Sequence, residues 1–128
     1  MKWLLDVDLL CALVWELHER HDEARAWLDG GAKVVTSPIA ELDFLRVSLR
    51  AYNARFEDAL AGLTEVTARA KFIPDDVRAT DLPPCLPAQS TDAHLVVLAR
   101  QRKLRMGTLD EGLLKQTWAQ GVAKNPLD

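Results

Sequence analysis

Four carboxylate residues stand apart from the chain's other acidic positions because each adjoins the end of an apolar segment. Asp6 closes the run KWLL, Glu41 follows shortly after Ser37-Pro38, Asp92 follows Ser90-Thr91, and Asp110 directly follows LRMGTL. Several carboxylates gathered without matching lysines repel one another, and the usual resolution is a hard divalent cation bound through oxygen and water. Magnesium or manganese fits that donor set. Each residue also has an ordinary structural explanation: Asp92 suits the positive end of a helix dipole, Asp6 a turn, Glu41 a solvated helix face, and Asp110 a turn or helix cap. Joint placement, two after strands and two near helix starts, is what singles the set out.

The elements decide whether those groups can meet. Lys2 to Leu5 reads as a buried first strand, after which Asp8 can cap a helix. Leu9 to Leu17 is apolar almost all round, as in a largely buried helix, and HERHDEARAWLDGG continues into an amphipathic helix closed by Gly30 and Gly31, with Ala24, Trp27 and Leu28 on its inner face. Lys33 to Thr36 is a brief strand. Ser37 as cap and Pro38 in the first turn open a helix running to about Tyr52. Phe56 to Ala70 has a helical period, Lys71 to Ile73 is a third strand, and the proline-rich stretch DLPPCLPAQS is an ordered loop. Thr91 to Gln101 is a helix, Leu104 to Leu109 a strand, Leu113 begins a last helix, and TWAQGVAKNPLD holds a marginal fifth strand. Strands alternating with helices call for an α/β sandwich with a mainly parallel sheet of four to five strands. Such sheets bind ligands beyond the carboxyl ends of their strands, where Asp6 and Asp110 fall.

The 128 residues, 48% of them hydrophobic, are enough for one domain spanning 1–128 with a single core. A net charge of −3 and a pI near 5.6 exclude binding of nucleic acid by a general positive excess, so any such contact is local. Cys11 and Cys85 lack zinc-ligand spacing and read as plain thiols. Asp6 and Asp8 interrupt the N-terminal apolar stretch before signal-peptide or membrane-spanning length, which leaves the cytoplasm as the expected location.

Four segments, LLDVDLLCAL, SPIAELDFLRV, STDAHLVVLAR and MGTLDEGL, together resemble the PIN-domain family, and within it the VapC-type toxins. They occur in family order and span nearly the whole chain. The resemblance implies a three-layer α/β/α sandwich and a magnesium- or manganese-dependent endoribonuclease in which Asp6, Glu41, Asp92 and Asp110 match the acidic motif positions. Asp6, Asp92 and Asp110 take direct or near-direct ligand roles, and Glu41 binds through water or orients the nucleophile. Thr108 matches the family's small hydroxyl residue. Thr91 and Thr108 either orient carboxylates or a phosphate oxygen, or make structural hydrogen bonds. Many members have asparagine at the position of Asp8, which here either caps a helix or adds a water-mediated contact. The resemblance also implies a homodimer and a cognate VapB-like antitoxin whose tail covers the acidic groove.

RNA requires local cations. Arg46 and Arg50, spaced i, i+4, form one strip, and Arg100, Arg102, Lys103 and Arg105 a second cluster; a solvated face or ion pairs with Glu57, Asp58 or Glu111 are the competing explanations. His18, His21 and His94 show no ligand pairing. The four tryptophans read as core or interface residues, with Trp15 and Trp27 available to a dimer surface. Two other functions compete: a PIN-like module that binds RNA or protein without cleaving, and, more remotely, a haloacid-dehalogenase-type phosphatase using one aspartate of LLDVDLL as nucleophile.

Overall fold

In the computed structural model, which describes residues 1–128, five strands form one all-parallel sheet in the order β3-β2-β1-β4-β5. They are β1 (Lys2–Leu5), β2 (Lys33–Thr36), β3 (Ala70–Phe72), β4 (Arg105–Gly107) and β5 (Ala123–Lys124). Helices α1 (Val7–Val14), α2 (His21–Asp29), α3 (Pro38–Arg50) and α4 (Phe56–Thr67) connect the first three strands, α5 (Ser90–Gln101) precedes β4, and α6 (Glu111–Leu114) follows it. The order turns back at β1 and β4. Right-handed crossovers therefore send α1 to α4 to one face and α5 to the other, leaving a crevice where the direction reverses. This is the three-layer sandwich with a parallel sheet anticipated above.

Helix α1 is apolar all round because it is enclosed: Leu9, Leu10, Cys11, Ala12 and Leu13 are each at most 1% exposed. Burying leucines to that degree contributes roughly 1.5–3 kcal/mol apiece. Gly62 admits the close approach of α4 to α1, since a Cβ there would lie 2.4 Å from Val14 Cγ1. With Phe44, Val35, Leu95, Leu98 and Met106 these residues form one continuous core.

Several expected boundaries shift for identifiable reasons. The cap of α1 is Asp6, whose carboxylate accepts from Leu9 N–H at 2.8 Å, so Asp8 lies in the first turn and does not cap. The helix ends at Val14 and not at Leu17. Trp15 leaves helical geometry to donate its indole N–H to Ser48 Oγ (2.9 Å) and to stack on Phe44 and Tyr52, while Leu17 is left exposed. Tertiary packing thus overrides a continuing apolar run. Ser37 occupies the cap position of α3 ahead of Pro38, but its buried hydroxyl makes no cap bond and has no partner. Helix α6 starts at Glu111, earlier than Leu113, because the Asp110 carboxylate accepts from Gly112 and Leu113 N–H. Strand β4 is shorter than expected, β3 begins one residue earlier, and β5 is the marginal strand anticipated. Two short 3₁₀ turns, Ala79–Asp81 and Pro87–Gln89, order the proline-rich region.

Candidate active site

The crevice between β1 and β4 is where the chain concentrates its unfavourable charge. Leu5 is in register with Gly107, and Asp6 N–H donates to the Gly107 carbonyl at 3.1 Å, so Asp6 and Thr108 leave the sheet side by side. Asp6 is 2% exposed and Thr108 fully buried. Burial raises the Asp6 carboxyl from its ordinary 3.8 to about 8; hydrogen bonds from the Thr108 side chain and Leu9 N–H pull it down, and Asp92 and Asp8 push it up again. Thr108 also accepts from Asp110 N–H at 3.1 Å, tying the loop after β4 to the same point.

Around Asp6 opens a cleft of about 470 Å³ lined by Asp8, Asp43, Arg46, Thr91, Asp92 and Asp110, together with Tyr52 and the buried Cys11. Asp92, in the first turn of α5, is raised to about 6, first by burial and then by Asp110, Asp43 and Asp8. Burial likewise pushes the Cys11 thiol up to about 12, which keeps it from acting as a thiolate. Arg46 is the one cation lining the cleft, and it is committed to an ion pair with Asp43.

The sheet edge therefore assembles Asp6, Asp8, Thr91, Asp92, Asp110 and Arg46 from the residues singled out by sequence. Glu41 and Arg50 do not line the cleft. Glu41 accepts a hydrogen bond from Thr36 Oγ1 at 2.7 Å, beyond the end of β2, and Arg50 is exposed near the end of α3. Asp43 was missed by sequence reasoning. Its signal lay in the helical period, since the buried stripe Ala40, Phe44, Ser48 places Asp43, Arg46 and Val47 together on the adjoining side. The arginines did not pair with Glu57, Asp58 or Glu111, except that Arg55 meets Glu57; Arg102 reaches Asp76 at 4.0 Å. Of the histidines, His18 pairs with Asp8 at the edge of the cleft (3.1 Å), while His21 is tied to the Ala12 carbonyl (2.7 Å) and His94 to Asp75 (2.6 Å), away from it.

No three histidine, cysteine, aspartate or glutamate side chains stand close enough to form a ready-made cage for a metal ion. The donor chemistry is nonetheless all oxygen, and burial with like-charge repulsion holds Asp6 and Asp92 against ionisation. That combination fits a hard cation, magnesium above all, which keeps several waters and takes one or two carboxylates directly. It does not fit a closed zinc site.

No family model matches the chain. It is similar to ribonuclease VapC38 of Mycobacterium tuberculosis, 36% identical over 139 aligned residues covering 98% of this chain and 95% of that protein. The chain belongs to the VapC ribonuclease family. Another VapC relative from that organism, ribonuclease VapC29, is 32% identical across 88% of this chain and 89% of its own. A crystal structure of VapBC2 from Rickettsia felis, bound to a DNA fragment from its promoter, superposes with a TM-score of 0.71 at 12% identity, covering 98% of both chains. FitAcB from Neisseria gonorrhoeae gives 0.67 at 18% identity, again over 98% of each. These two likenesses show the PIN-like fold. Membership of the VapC family sets aside the phosphatase alternative. No helix of the chain is long and apolar enough to cross a membrane.

Proposed function

We propose that the acidic cleft is the active site of a divalent-cation-dependent endoribonuclease, the toxin of a VapBC-type pair, formed by 1–128 as one domain. The observation that carries this reading is the convergence of five aspartates, from four places in the chain, on the crevice at which the sheet reverses direction. Bound there, magnesium or manganese supplies an activated water and neutralises charge developing on the phosphate.

The chain's own residues divide the remaining work. Asp6, fixed as the cap of α1 and flanked by Thr108, presents an immobile carboxylate, and Asp92 and Asp110 face it from the starts of α5 and α6. Asp110 spends one oxygen, Oδ1, on Gly112 and Leu113 N–H, leaving Oδ2 for the ion or its waters. Asp8, no longer needed as a cap, faces the cleft half-exposed and acts through water. Glu41, held by Thr36, acts at one remove by orienting solvent. Thr91 lies beside Asp92 to receive a phosphate oxygen or steady the carboxylate. Arg46, paired with Asp43 yet largely exposed, and Arg50, one turn further along α3, offer positive charge to RNA phosphates at the rim. A cognate VapB-like antitoxin that covers the cleft is the partner this reading carries, in keeping with the VapBC and FitAB complexes its fold resembles, and a second copy of the chain is carried by the family resemblance alone.

The decisive variant is Asp6→Asn, because asparagine caps a helix as well as aspartate does but cannot carry the charge. Magnesium-dependent cleavage of an RNA panel should fall about a thousandfold, near 4 kcal/mol of transition-state stabilisation, with an unchanged circular dichroism spectrum. Undiminished cleavage by this variant overturns the assignment.

A further inference from the structure

The far end of the sheet carries the opposite charge. A hollow of about 810 Å³ opens where β1, β4 and β5 begin; Lys2, Arg100, Lys103 and Arg105 line it, and no carboxylate does. None of these four side chains forms an ion pair, whereas Arg20, Arg25, Arg46, Arg55, Arg69 and Arg102 all do. Lys2 also borders a smaller hollow of about 260 Å³ beside Lys33 and Lys71, so one basic band follows the starts of the strands.

The band is held in shape. Arg100 donates to the carbonyls of Trp118 (3.2 Å) and Gln120 (3.5 Å), and the Arg105 guanidinium lies 5.9 Å from the centre of the Trp3 ring. Lys103 adopts φ +56 just after α5, where Leu104 N–H closes on the Ala99 carbonyl at 2.8 Å. Glycine or asparagine is the ordinary occupant of such a position. A lysine there sets aside backbone ease and places a cation at the hollow.

We propose that this band binds the phosphodiester backbone of RNA, gripping a long or folded molecule at the end of the sheet opposite the cleft. The inference rests on the ribonuclease reading for the identity of its ligand. Clustered cations without acidic neighbours recognise phosphates, not base sequence, and here they supply the positive field that the cleft lacks. From Lys2 to Asp6 the strand covers about 13 Å. A tetranucleotide centred on the cleft, about 14 Å long if stacked, reaches about 7 Å to either side and stops short of the band.

The test uses the full chain carrying Lys2→Glu with Lys103→Gly, the glycine being suited to the left-handed backbone. Lys103→Asn, which also tolerates that backbone, serves as a second variant. Filter binding to a long folded RNA is measured in EDTA, and tetranucleotide cleavage in magnesium. Folded-RNA affinity should drop about tenfold and the slope of log K against log salt should flatten by roughly 1.5. Tetranucleotide cleavage and melting temperature should hold. Folded-RNA binding equal to that of the unaltered protein, or equal losses with both RNAs, overturns the proposal. Band-dependent binding by a protein that, given magnesium, cleaves neither the tetranucleotide nor the folded RNA upholds it and defeats the nuclease reading instead.

Discussion

The two ends of β1 lie four residues apart and are built on opposite terms. At Asp6 the charge is buried, like charges surround it, and each departing backbone group is claimed by a cap or strand bond. At Lys2 the cations stand in open hollows, and Lys2, Arg100, Lys103 and Arg105 form no ion pair. The acidic end gives up stability to hold a donor set that is satisfied only by a cation, while the basic end gives up almost none. A net charge of −3 describes neither end, because it sums two fields that a single parallel sheet keeps apart.

The largest expected effect comes from removing the buried charge without metal. The Asp6 carboxyl is raised from 3.8 to about 8, so below about pH 4 it is protonated in both folded and unfolded chains. Between these values the unfolded chain releases its proton while the folded one retains it, and stability falls as pH rises until about pH 8. Asp92, raised to about 6, adds to the fall over the lower part of that window. In EDTA at pH 8, Asp6→Asn should therefore melt above the wild type by roughly 15–20 °C, on the order of 5 kcal/mol, and the gap should vanish near pH 4. Magnesium should raise the wild type and leave the variant unmoved. A gap independent of pH would mean that packing, and not charge, separates the two ends.

How much of this was legible in the sequence follows from which forces were local. The strands β1 and β2, the cores of α2, α3 and α5, and the parallel character of the sheet were readable because apolar period and crossover handedness are carried by neighbouring residues. The end of α1 was not, since Trp15 is turned out of the helix by Ser48, Phe44 and Tyr52, more than 28 residues away. The capping role of Asp6 in place of Asp8 turned on a single backbone bond to Leu9. In the cleft, Asp6, Asp92 and Asp110 were identified from position alone, but Asp43 enters through tertiary packing of α3 against α5. The cluster Arg100, Arg102, Lys103, Arg105 was visible as charge; that Arg100, Lys103 and Arg105 line a hollow at the opposite end from the cleft, while Arg102 turns to Pro74, required the register of β4 with β1.

A smaller effect probes whether the two ends are mechanically joined. Gly107 lies between them in β4, and a Cβ there would sit 2.9 Å from Leu9 Cδ2 and 3.5 Å from Trp3 Cε3. Leu9 is fully buried and cannot yield freely. Gly107→Ala should cost about 1–3 kcal/mol, read as a lower urea midpoint at constant m-value. Because Thr108 follows directly, magnesium affinity should weaken as well, whereas folded-RNA binding in EDTA should not. Loss of both functions in proportion would show the sheet transmitting the strain from one end to the other.

The smallest effect concerns the one carboxylate of the cleft that no motif identified. Asp43 lines the cleft, is paired with Arg46 and helps to raise Asp92, so it contributes negative potential there while an arginine answers part of its charge. Asp43→Asn should release Arg46 toward the cleft and remove one charge from the field that attracts the cation. Divalent affinity depends on the number of charged ligands, and loss of a peripheral one should raise the magnesium concentration for half-maximal cleavage about threefold, or roughly 0.6 kcal/mol. The maximal rate at saturating magnesium should stay within about twofold, since transition-state contacts are untouched. A magnesium titration of the cleavage rate separates the two quantities. Unchanged affinity with a collapsed maximal rate would move Asp43 in among the reacting groups, and the acidic end would then rest on one more working carboxylate than its spacing in the chain suggests.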